Sequence, residues 1–173
     1  MLEAIKNYEL KHKDLHLVEV TTKNYWELGF LKTKRSQARF VGPNFYGMAY
    51  AYATVAEGKF AAVFGIYDGE TPVGYAMVGH NSYDYEGCPE VCKHSYDLWR
   101  FMIDKHYQKK GYGKDATKLL LDYMLTFPDG EEDMLTTSYE EGNVVAKKLY
   151  ESFGFVSNGE ISHGEVTMVL SLK

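Results

Sequence analysis

Apolar and polar positions along the chain switch between a period of two and a period near 3.6, and the switches mark out an alternating series of strands and helices. Residues 15–20 read as a short strand, and Thr21, Thr22 and Asn24 then offer caps for a helix carrying Tyr25, Trp26, Leu28 and Leu31. After the break at Gly42-Pro43-Asn44, residues 45–56 are rich in Ala, Met and Tyr and predict a second helix ending near Gly58. Residues 60–67 and 73–79 are apolar strand-like runs joined by Asp68-Gly69-Glu70-Thr71-Pro72, a hairpin signal. Residues 96–103 predict another strand. From Gly111 onward Ala116, Leu119, Leu120, Tyr123 and Phe127 keep helical spacing until Pro128-Asp129-Gly130 stops it. Residues 133–138 form a short strand, Asn143 caps a helix carrying Ala146, Leu149, Tyr150 and Phe153, and Gly154 closes it. Residues 155–161 and 165–172 finish as a hairpin around His163-Gly164. The order is mixed α/β with one late strand–helix–strand crossover.

At 173 residues, 45% hydrophobic and 25% charged, the chain suits one folded domain, read as a single unit over residues 15–173 preceded by an arm over residues 1–14. The net charge of -5 disfavours nucleic-acid phosphates and mildly attracts cations. The longest uncharged stretch, residues 40–56, is interrupted by Gly42, Pro43, Asn44 and Gly47 and is too short for a membrane span, so no membrane is expected. Two cysteines, Cys88 and Cys92, do not make a disulfide scaffold, and a reducing cytoplasm fits. Their spacing with His94 fits zinc poorly, so no metal is expected.

The chemistry gathers first at residues 101–114, where a strand runs into Gln108-Lys109-Lys110-Gly111-Tyr112-Gly113-Lys114 and then a helix. Glycines let successive N–H groups curl inward, and a helix N-terminus adds unpaired donors, an arrangement that suits a pyrophosphate. The turn is neither the nucleotide-hydrolysing phosphate loop, for want of its spacing and its Ser or Thr, nor the full dinucleotide fingerprint, for want of a third glycine. An ordinary turn with solvated lysines is the competing reading.

Gln108-x-x-Gly111-x-Gly113 opening a helix after Phe101-Met102-Ile103 resembles the coenzyme A pyrophosphate motif of the GNAT superfamily of N-acetyltransferases. Asn143-Val144-Val145-Ala146-Lys147-Lys148-Leu149-Tyr150, followed by Gly154-Phe155, resembles that superfamily's later helix. Phe40-Val41-Gly42-Pro43-Asn44-x-Tyr46 and Trp99-Arg100-Phe101-Met102-Ile103-Asp104 resemble its bacterial diamine and spermine/spermidine branch. The resemblance implies a mostly antiparallel central sheet flanked by helices, with acetyl-CoA as cosubstrate in the gap of a splayed parallel strand pair. Phe101, Met102 and Ile103 would pair with the pantetheine amides, Gln108, Lys109, Lys110, Gly111, Tyr112, Gly113 and Lys114 would hold the pyrophosphate, and Asn143 would touch the pantetheine arm as well as cap its helix. Tyr150 would protonate the departing sulfur, although its position alone also makes it one of an apolar stripe.

The expected reaction is direct attack of a small primary amine on the thioester, a polyamine being the leading acceptor and no covalent enzyme intermediate being needed. A base must help the amine lose its proton; Asp97 and Glu19 are candidates that strand parity alone cannot aim. Asp84, Glu86 and Glu90, with Tyr83 and Tyr85, could hold a second cation of a polyamine, or form a solvated acidic loop. The expected partner is the small-molecule amine, with a homodimer left open. The competing classes are an acetyltransferase for protein or peptide amines and a non-catalytic acyl-CoA-binding domain.

Overall fold

The computed structural model describes residues 2–81 and 87–173. Its strands are β1 (Leu15–Glu19), β2 (Phe60–Asp68), β3 (Thr71–His80), β4 (Tyr96–Ile103), β5 (Met134–Glu140), β6 (Val156–Ser162) and β7 (Glu165–Ser171), and its helices α1 (Leu2–Lys6), α2 (Tyr25–Gly29), α3 (Asn44–Ala56), α4 (Tyr112–Met124) and α5 (Val144–Glu151). The strands form one seven-stranded sheet in the order β1-β2-β3-β4-β5-β7-β6. Every neighbouring pair is antiparallel except β4 and β5. The mixed α/β architecture expected from the sequence is the one observed.

The sheet buries both faces. On one, Ala76, Val78, Leu98, Leu135 and Leu170 pack against Ala116, Leu120, Leu121 and Met124 of α4 and Tyr150 of α5. On the other, Tyr75, Met77 and Met102 pack against Leu28 of α2 and Ala51 of α3. The sequence of β3 fits this double burial, since it is an almost unbroken apolar run rather than an alternating one.

In β4 the alternation changes phase. Leu98 pairs with Val78 but Arg100 pairs with Met77, so Trp99 is an extra residue in the ladder. Tyr96 and Leu98 face the α4 side before the bulge, and Phe101 and Ile103 face the same side after it. A bulge also bends its strand, and here it sits where β4 leaves β5.

Two of the element boundaries that differ from the sequence pattern have clear local reasons. The helix read through Leu31 stops at Gly29, where Phe30 N–H bonds back to the Glu27 carbonyl and Leu31 N–H to that of Leu28, and the Phe45 ring lies so close that a Cβ on Gly29 would sit 2.2 Å from it. The chain then crosses to α3 as a strap containing a 3₁₀ turn, Arg35–Gln37. Strand β5 runs on to Glu140 because Tyr139 and Glu140 find partners in Val166 and Glu165.

The segment ahead of β1 is tied to α4 through Tyr8 and His12. Asp115, fully buried in the first turn of that helix, accepts from Tyr8 Oη at 2.8 Å, His12 N at 2.8 Å and His12 Nδ1 at 2.7 Å. His12 stacks on Tyr112 with ring centres 3.8 Å apart. Among the described residues no helix is long and apolar enough to cross a membrane.

Candidate active site

Strands β4 and β5 pair at Tyr96 with Leu135, Asp97 with Thr136 and Leu98 with Thr137, and then part. Beyond the bulge Arg100, Phe101, Met102 and Ile103 keep their β3 partners on one side, while Phe101, Met102 and Ile103 line a cleft on the other. A strand edge opened inside a sheet presents N–H and C=O groups that an extended amide-bearing ligand can pair with as an added strand.

The cleft measures about 520 Å³. Its far wall is Ser138, Tyr139 and Glu140 of β5 with Asn143, Ala146, Leu149 and Tyr150, and the strap contributes Gln37, Arg39, Phe40, Val41 and Gly42. The strap is held at both ends. Arg100 Nη1 donates to Gly42 O at 3.0 Å, and Asp104 accepts from Lys32 N at 2.9 Å. Midway it reaches the turn after β5, where a Cβ on Gly142 would lie 3.0 Å from an Arg39 guanidinium nitrogen.

The loop between β4 and α4 closes one end. Gln108 Nε2 donates to Ile103 O at 3.0 Å, and Asp104 accepts from His106 N at 3.0 Å and His106 Nδ1 at 2.8 Å. Burial would raise the Asp104 pKa, but these N–H groups and that of Lys32 outweigh it and hold the carboxyl below its ordinary value. Lys109 (φ 64°) and Gly111 (φ 105°) both take the left-handed backbone, and the turn delivers the start of α4 to the cleft. Tyr112 and Gly113 occupy the first turn of that helix, whose N–H groups have no intrahelical acceptor. Such a nest of donors fits a phosphate group.

Of the residues singled out from sequence, Phe101, Met102, Ile103, Gln108, Lys109, Gly113, Asn143 and Tyr150 line the cleft together. Lys110, Gly111, Tyr112 and Lys114 do not line it. Lys110 Nζ sits over the Tyr107 ring at 5.4 Å, and Lys114 is exposed. The Tyr112 ring is turned to the core, its hydroxyl donating to Asp68 Oδ2 at 2.5 Å. Asn143 Oδ1 accepts from Ala146 N at 3.2 Å, the helix cap its position implied.

Tyr150 is 6% exposed, and burial pushes its pKa up to about 12 with the charges of Asp97 and Glu165 adding to the rise and the Thr137 hydroxyl opposing it. Asp97 lies at the last paired stretch of β4 in a small recess with Cys92, Thr137 and Glu165. Burial, and next the Asp97 charge, raise the Cys92 thiol to about 12. Glu19, by contrast, is exposed on the edge strand β1, paired with Phe64 and absent from the cleft lining. Glu90 is also absent from it and binds Lys93 Nζ at 2.7 Å. Tyr83, Asp84, Tyr85 and Glu86 lie outside the described residues. Cys88 and Cys92 are both thiols, and among the described residues no three His, Cys, Asp or Glu side chains form a metal-ligating group.

Sequence reasoning missed Gln37, Arg39, Glu140 and Glu165. Glu140 and Glu165 stand opposite each other on β5 and β7, both lining the cleft, and Ser138 Oγ donates to Glu165. Only the strand register joins them, so no local signal could have paired them.

Comparison with known proteins converges on the same architecture. A probable spermine N(1)-acetyltransferase of Bacillus subtilis subsp. natto is 38% identical over 110 residues, and a spermine/spermidine N(1)-acetyltransferase of Bacillus subtilis 36% over 110 residues. In each case the match spans 61% of this chain and 66% of the relative's length. Among solved structures, the spermidine N-acetyltransferase of Vibrio cholerae in complex with CoA and spermine is similar in fold, with a TM-score of 0.67 at 18% identity over 91% of this chain and 95% of that one. The aminoglycoside acetyltransferase AAC(6')-Ib in complex with coenzyme A has a TM-score of 0.73 at 17% identity over 91% and 95%. The profile of the Acetyltransferase (GNAT) family matches residues 25–155, and the chain belongs to that family.

Proposed function

We propose that the chain is an acetyl-CoA-dependent N-acetyltransferase whose acceptor is a small primary amine, a polyamine in the first place. The observation that carries this reading is the parting of β4 from β5 beside the buried Tyr150. When bound, acetyl-CoA supplies the activated acetyl group. Phe101, Met102 and Ile103 offer its amide-bearing arm a strand edge. The turn from Gln108 to Lys114 offers its pyrophosphate backbone donors and lysine charge, and Asn143 stands beside the arm.

Tyr150 has the properties of a general acid for the departing sulfur. A phenol whose pKa is raised stays protonated at every pH where the enzyme works, and its position in the cleft wall brings the proton to the reacting end. The acceptor needs the opposite service, because an alkylammonium with pKa near 10.4 is free amine only to roughly one part in 2,500 at pH 7. Asp97, buried next to Tyr150 at the root of the parting strands, is the group we assign to draw off that proton, directly or through water.

The polyamine class is supported by the relatives at 38% and 36% identity and by the Glu140 and Glu165 pair. Like charges directly opposite in a sheet repel, and a cation lying between them relieves the repulsion. The test is release of coenzyme A thiol from acetyl-CoA with spermine, spermidine, putrescine, an aminoglycoside and a lysine-bearing peptide. The reading expects the polyamines to give the highest kcat/KM. Preference for the aminoglycoside or the peptide would refute the substrate class, and turnover with none of them would refute the enzymatic reading.

A further inference from the structure

We propose that the outer face of α3, together with α2, is the contact by which two copies of this chain form a two-fold dimer. The proposal starts from the uncharged stretch of residues 40–56, which the cleft uses only at Phe40, Val41 and Gly42. The remainder is α3, a 13-residue helix with no charged side chain. A surface helix of that composition is unusual, because the solvent side of an amphipathic helix normally carries charge.

The exposed side of α3 is ordered as a packing surface. Phe45, Ala49, Tyr52 and Ala56 follow each other at i, i+4, i+7 and i+11, with Tyr46 and Ala53 beside them. Large rings alternate with alanines, which gives knobs and the shallow holes to receive them. Phe45 extends the patch sideways onto α2, its ring 5.4 Å from Phe30 and 5.9 Å from Trp26.

Five rings remain open to solvent here: Tyr25 41%, Trp26 61%, Phe30 51%, Tyr46 70% and Tyr52 78% exposed. At ~200 Å² per aromatic side chain they present about 600 Å², against the ~800 Å² that each partner contributes to a standard stable interface. The flanking alanines bring the total close to that figure.

The charge pattern selects the occupant. At a two-fold axis a residue meets its own copy, so a charged residue on the axis faces a like charge. A helix free of charge pairs with its own copy without that repulsion, and the first charged residues beyond it, Glu57 and Lys59, neutralise each other at 3.4 Å. The face backs onto the cleft, since Gly47 on the inner side of α3 packs against Arg100 and Met77 and Tyr50 meets Trp99 edge-on at 5.3 Å. Pairing through α3 would brace the Trp99 and Arg100 wall of the cleft from behind.

Association is measured without turnover, so this proposal and the acetyltransferase reading fail independently. Light scattering on the full chain at ~100 µM, well above the dissociation constant of a stable dimer, should give twice the monomer mass. Trp26→Glu/Tyr52→Glu should run as a monomer, while Ile161→Glu, a charge placed on an equally exposed residue of β6, should stay dimeric. As a readout that survives poor folding of the double variant, Ala49→Cys in a Cys88→Ser background should form a covalent dimer on oxidation. A monomeric wild-type chain, a dimer untouched by the folded double variant, or no crosslink through Ala49→Cys would overturn the proposal, including the case of a monomer that instead binds lipid vesicles.

Discussion

Asp115→Ala should unhinge the segment ahead of β1 from the start of α4, and the size of the effect follows from its three hydrogen bonds. Tyr8 Oη, His12 N and His12 Nδ1 all donate to this one buried carboxylate. Hydrogen bonds to a charged group contribute ~1.5–3 kcal/mol each, which sets a ceiling of roughly 4.5–9 kcal/mol. The substitution also removes the cost of burying a carboxylate, and cutting one side of a buried pair typically leaves a net loss of ~3–5 kcal/mol. The lower end applies, since His12 can rehydrate, so the expected loss is about 3 kcal/mol, or about 6–12 °C in Tm for a chain of this size. The Asp115 carboxyl is held below its ordinary pKa because those donors outweigh the effect of burial. A depressed pKa contributes stability above the unfolded value, lost as pH falls through about 3.9 and below. Wild type and variant should therefore differ most above about pH 5 and converge on acidification. Urea melts between pH 3 and 7 would show this. A loss under about 1 kcal/mol, or a gap that widens in acid, would refute the account of this segment.

Three further outcomes follow from single groups. Tyr75 Oη is fully buried and has no hydrogen-bond partner among the described residues, so Tyr75→Phe should raise stability by about 1 kcal/mol in a urea melt. Gly111 holds φ 105°, with Lys11 Cδ 3.2 Å from where a Cβ would be, so Gly111→Ala should cost ~1–2 kcal/mol and weaken acetyl-CoA binding in calorimetry. The Cys92 thiol, raised to about 12 by burial first and by Asp97 next, should resist alkylation at pH 8 in the folded protein and react only on unfolding, as peptide mass mapping would show.

Much of this architecture can be read along the chain where the signal is local. The Gly111 turn, the Asn143 cap and the hairpin at Gly69 rest on backbone conformations that a few neighbouring residues dictate, and they stand where the pattern placed them. What the pattern could not give depends on register. Trp99 shifts the phase of β4, so counting by twos from Tyr96 misdirects every side chain beyond it. Glu140 meets Glu165 only because β7 lies antiparallel beside β5, and Asp115 meets His12 across more than a hundred residues. The strap residues Gln37 and Arg39 carry no periodic signal, since they enter the cleft from a loop anchored at Gly42 and Lys32 rather than from a helix or strand. Tyr150 belongs to the apolar stripe of α5, as its spacing indicates, and it also lines the cleft, which spacing alone does not tell.

The most direct test of the central claim is coenzyme A release with spermine by Tyr150→Phe, with acetyl-CoA affinity measured alongside. The account predicts unchanged affinity, because the phenol acts on the departing sulfur, and a kcat lower by roughly 10²-fold or more. Full activity in Tyr150→Phe, with affinity intact, would contradict it.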